Sequence, residues 1–148
     1  MKEDPNAKVR SDIEQYGWHC LNVRPQVGDD RPGFSYTIGL TETYSHPEIM
    51  VFGLGDKAHG ILAECAALVK NGASFIPNVL NDDVLDGNYQ VIFKPVRKEC
   101  FPEYLGTACR FYAGRPFEAL VMFWPNKELK FPWEYSQPSV QGEALHVV

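Results

Sequence analysis

The run Ile49-Met50-Val51-Phe52 constrains this chain more than any other feature, because it has no polar face at any periodicity. Successive side chains of a strand point to opposite sides of a sheet, so four consecutive apolar residues describe a strand covered on both faces, near the sheet centre. The segment before it behaves differently. Phe34, Tyr36, Ile38 and Leu40 alternate with Ser35, Thr37 and Gly39, giving a strand with one large apolar face and one small, polar face.

The other elements follow from period and punctuation. Val9, Ile13 and Tyr16 form one helical stripe that ends at Gly17. Residues 18–24 read as a strand stopped by Pro25, followed by a polar loop through residues 28–33. After a loop from Thr41 to Pro47 and the apolar strand, Asp56 is placed to cap a helix whose buried stripe is Ile61, Leu62, Cys65, Leu68 and Val69. Asn71-Gly72 supplies its left-handed stop. Residues 73–88 are irregular. Tyr89 to Lys94 is a strand ended by Pro95, Pro102 opens a helix to about Tyr112 with Gly106 as its weak point, and Ala119 to Trp124 is the last strand. Short links between the early strands favour antiparallel pairing. The expected fold is α+β: a mainly antiparallel sheet of about five strands, two to three packed helices, and a Pro/aromatic-rich C-terminal strap.

A chain of 148 residues can enclose a core without metal or disulfide, and it suits a single domain with mobile ends at 1–7 and 141–148. Its 14 Lys and Arg against 19 Asp and Glu give a net charge of −5, which disfavours nucleic acid. No stretch approaches the ~20 apolar residues of a membrane span, and the charged start is unlike a secretion signal, so a cytoplasmic location away from membranes is expected. Cys20, Cys65, Cys100 and Cys109 are scattered without zinc-type spacing, although their even number leaves disulfides open. Cys65 falls on the helical stripe as a small core residue.

Gly17-Trp18-His19, Tyr36-Thr37-Ile38-Gly39-Leu40, His46-Pro47-Glu48, Trp124-Pro125, Phe131-Pro132-Trp133 and Gln137-Pro138, taken in order, resemble the bacterial domain of unknown function 4262 family over about residues 10–140. The resemblance implies a small single-domain bacterial protein and transfers no catalytic residue. Asn126-Lys127 stands where the family often has an acidic residue and glycine, a departure that bears on the turn alone.

Several constellations can carry chemistry. In His46-Pro47-Glu48, proline biases His46 to extended backbone, so the imidazole and the carboxylate can project together as a general base and its orienting group; a salt bridge rigidifying the loop is the structural alternative. Ser35, Thr37 and Gly39 offer hydroxyls and close approach to a ligand, or simply a face small enough to lie under a helix. Gly53-Leu54-Gly55-Asp56 joins a strand to a helix, but Asp56 puts negative charge where a phosphate would sit. Lys94, Arg97 and Lys98, near Tyr89, Phe93 and Phe101, read as a solvated turn rather than a base-stacking platform. The tail aromatics Phe123, Trp124, Phe131, Trp133 and Tyr135 strap the sheet or wall a cleft.

The leading expectation is a small-ligand pocket between the Tyr36–Leu40 strand, the His46-Pro47-Glu48 loop and the Phe131–Trp133 strap. Thr37 and His46 would be its polar anchors, Glu48 the orienting carboxylate, and Trp18, Tyr36 and Trp133 its walls. The alternatives are a non-catalytic module that binds a protein partner or forms a homodimer, and a metal-dependent hydrolase if His19, His46 and an acidic side chain converge. No motif specifies a cofactor or a metal.

Overall fold

The computed structural model describes residues 6–25, 27–28, 32–87 and 89–148. The fold is α+β. Its strands are β1 (His19–Val23), β2 (Phe34–Ile38), β3 (Glu48–Phe52), β4 (Ile92–Pro95) and β5 (Ala119–Phe123), and its α-helices are α1 (Ala7–Tyr16), α2 (Leu40–Tyr44), α3 (Ala58–Lys70), α4 (Phe101–Tyr104) and α5 (Gly106–Tyr112). The sheet order is β1-β2-β3-β5-β4. The early strands pair antiparallel, with Leu21 opposite Tyr36 and Tyr36 opposite Met50, and β4 pairs antiparallel with β5. β3 and β5 are parallel, Ile49 lying opposite Leu120. The long connection between them, which holds α3, β4, α4 and α5, supplies the crossover that parallel pairing requires.

The apolar run is fully buried in the centre of the sheet. Met50 and Phe52 join Tyr36, Ile38, Val121 and Phe123 in a core closed by α4, α5 and the C-terminal segment. Ile49 and Val51 join Leu120, Met122 and Phe93 in a second core beneath α3. Alternation along the strands therefore generates two cores on one sheet.

Local chemistry modifies the expected elements. Tyr16 is largely exposed, and Val9 and Ile13 carry the packing of α1. The expected loop 41–47 begins with α2, which takes Leu40 out of the β2 alternation and into the α3 core. Asp56 makes no side-chain cap, because the 3-10 turn Gly55–Lys57 leads directly into α3. The 102–112 helix breaks at Leu105 into α4 and α5, next to Gly106. Tyr89 and Gln90 lie outside β4, while Val91 bridges to Asn81. Residues 141–148, expected as a mobile end, pack against the fold: Gln141, Ala144 and Val147 are buried, and the Gln141 amide both donates to and accepts from the backbone of Trp124. The expected mobile residues 1–5, and residues 29–31 of the expected polar loop, lie outside the described residues. All four cysteines are free. Among the described residues no helix is long and apolar enough to cross a membrane.

Candidate functional site

The structure brings Thr37 and Glu48 together but leaves no space between them. β2 and β3 stop pairing at Tyr36 and Met50. In the gap beyond, the Thr37 hydroxyl accepts the Ile49 N–H at 2.9 Å and donates to Glu48 Oε1 at 2.8 Å. The same carboxylate receives the backbone N–H groups of Leu40 and Thr41 at 3.1 Å each and of Gly39 at 3.3 Å, together with the Tyr112 hydroxyl. Glu48 thus satisfies the first turn of α2 from outside it and ties β2, β3, α2 and α5 to one point. Burial raises its carboxyl above the ordinary value, against the opposing pull of the bonds from Tyr112, Thr41, Thr37 and Leu40.

His46 is turned away from Glu48. Its Nδ1 bonds the Pro47 carbonyl at 2.8 Å, its Nε2 accepts the Phe75 N–H at 3.1 Å, and its ring meets the edge of Phe75. These partners fix the neutral tautomer with the proton on Nδ1, and burial lowers the imidazole below its ordinary value. Both ring nitrogens are occupied. His46 is thus held as a structural link between the β3 entrance and the segment after α3.

The remaining candidate residues are dispersed. Tyr36 is buried in the α5-side core, Trp18 borders the α3-side core against His59, and Trp133 stacks on Phe131 with Lys94 over its ring at 4.6 Å. One small ligand cannot touch all of these. His19 pairs with Asp12 at 2.7 Å, away from His46, and among the described residues no three His, Cys, Asp or Glu side chains form a metal-binding group. The basic stretch is internally engaged: Lys94 reaches Asn78, Arg97 reaches Glu99, and Lys98 reaches Glu118.

An open hollow lies elsewhere, at the other end of β1 and β2. A groove of about 510 Å³ is floored by Val51 and lined by Asn22, Arg24, Ser35, Asp56 and His59. Ser35, on the small polar face read from the sequence, is buried and donates to Asn22 Oδ1 at 2.6 Å. That bond orients the Asn22 amide and, among the described residues, leaves its N–H pair for another partner. Asp56 and His59, three residues apart, rise from the entrance to α3. The alternation in β2 pointed to Ser35. Asn22 carried no motif, and His59 stood out only as one scattered imidazole, because the groove joins residues of β1, β2 and α3 that only the sheet topology makes neighbours.

These features define an α+β domain built on a mixed five-stranded sheet, with helices over both faces and a polar groove at one end. The chain belongs to the family described as Domain of unknown function (DUF4262), whose model matches residues 12–138. No curated protein and no solved structure matches it.

Proposed function

We propose that this protein binds a small polar molecule in the groove between the β1–β2 ends and the start of α3. The observation that carries this reading is the convergence of Asn22, Ser35, Asp56 and His59 on a hollow of ligand size with an apolar floor at Val51. The Glu48 cluster, although richer in hydrogen bonds, has every group committed within the fold. A screen of polar metabolites by thermal shift on the purified full chain tests the proposal. A bound compound is expected to lose affinity at least tenfold in both Asn22→Ala and His59→Ala; the exposed change His59→Ala should alter stability by less than about 0.5 kcal/mol, and Asn22→Ala, which takes the acceptor from the Ser35 hydroxyl, by about 1 kcal/mol. Binding unaffected by either substitution would place the ligand elsewhere.

A second reading, docking of a protein partner, is favoured by one observation. Leu80, Leu129 and Trp133 are each exposed by 42% or more around a shallow hollow bounded by Ile92 and Phe131. Loss of a co-purifying protein in Leu129→Ser would support it.

A further inference from the structure

We propose that the groove takes a neutral oligosaccharide, its rings laid on Tyr16 and Trp18 and its hydroxyls bonded by Asn22 and His59. This rests on the reading of the groove as a ligand site and names the class of ligand. The groove does not end at His59. A second hollow of about 430 Å³, lined by Lys8, Asp12, Tyr16, Trp18 and Cys20, shares His59 with the first. Cys20 and Asn22, two apart on β1, lie on one side of that strand, and His59 lines both hollows, so the two adjoin as the halves of one trough.

Charge disfavours an anion. Lys8 is paired with Asp12 at 2.9 Å in the second hollow, and among the described residues the first holds one cation, Arg24, with one carboxylate, Asp56. Asp56 also sits beside the positive end of α3, where an anionic ligand would otherwise gain most. The trough therefore suits an uncharged molecule. Its hydrogen-bonding groups suit hydroxyls: the Asn22 amide N–H pair donates, and the His59 imidazole can both donate and accept. Its aromatic groups suit a flat C–H face. Tyr16 is 61% exposed and Trp18 is half-buried, held by the His59 ring at 5.9 Å between centroids and 31° between planes. Because these two rings already touch, no slot between them admits a nucleobase. The extent of the trough across both hollows calls for more than one sugar ring.

The test is isothermal titration of the full chain with neutral tri- and tetrasaccharides derived from cellulose, xylan, chitin and starch, alongside uronate oligomers and nucleosides. At least one neutral oligosaccharide is expected to bind. Asn22→Ala and the exposed change Tyr16→Ala should each weaken it tenfold or more, with Trp18→Phe retaining most affinity and Lys127→Ala all of it. Preference for uronates or nucleosides, or a different small molecule held in the groove with no sugar bound, would overturn the oligosaccharide assignment while leaving the binding groove intact. Absence of any ligand in this and the metabolite screen would overturn both.

Discussion

Five donors meet the Glu48 carboxylate, and a side-chain amide cannot serve them all. In Glu48→Gln an NH2 group would face N–H or O–H donors in place of the acceptor they now share. Leaving buried groups unsatisfied costs about 1–3 kcal/mol each, so this substitution should lower unfolding stability by at least about 2 kcal/mol. Tyr112→Phe removes one donor to the carboxylate and the acceptor that Gly39 N–H meets at 3.2 Å, and should lower it by about 1–2 kcal/mol. Urea titrations read both, and a Glu48→Gln variant as stable as the parent would contradict the structural role given to this residue. His46 adds a pH dependence. Its folded value lies below the ordinary 6.5, so its contribution is complete above 6.5 and lost as the pH falls through the folded value. Glu48 works in the opposite sense: with its folded value raised above 4.5, its contribution is complete below 4.5 and lost as the pH rises through the folded value. Between pH 7 and 5 the two oppose each other, so the parent's urea midpoint should fall relative to that of His46→Gln, which keeps the Glu48 contribution alone. His46-Pro47-Glu48 was legible as an unusual triplet. Its role was not, because residue types alone do not reveal that Phe75, Tyr112 and the α2 amides already occupy its polar atoms.

At the scale of elements, the sequence was most informative where one periodicity ran uninterrupted. α3, β3 and β5 match their apolar patterns because burial on one stripe or both faces leaves few alternatives. The departures arise where a single contact overrides the pattern. α2 forms because Glu48 satisfies its first amides, an interaction across seven or more residues that no local propensity encodes. Gly39 permits the turn into that helix: its φ is +114°, and a Cβ there would lie 2.7 Å from Ile13 Cγ1 and 3.1 Å from the Gly17 carbonyl oxygen. Gly39→Ala should therefore lower stability by about 2 kcal/mol through backbone strain and displacement of α1. Calorimetry checks this, and an unchanged melting temperature would show that α1 adapts freely. The strap was legible from its aromatics and prolines, whereas its anchoring by Gln141 was not, since one glutamine resembles any other until its amide meets the Trp124 backbone.

At the scale of the molecule, the sheet divides two kinds of polar chemistry that lie close together on β2. Thr37, at one end, is sealed into the Glu48 network, and Ser35, two residues away, faces the open groove through Asn22. The hydroxyl-bearing face was therefore readable as a feature, while its division into a structural and an accessible half depended on where β2 and β3 cease to pair. Polar changes around Glu48 should chiefly alter stability, and changes at Asn22 or His59 should chiefly alter binding. Backbone amide chemical-shift mapping with a bound compound tests this most directly. Perturbations concentrated at residues 20–24, 33–35 and 51–59 are predicted, with Gly39, Leu40 and Glu48 little moved; the largest shifts falling instead on residues 37–48 and 112 would contradict it.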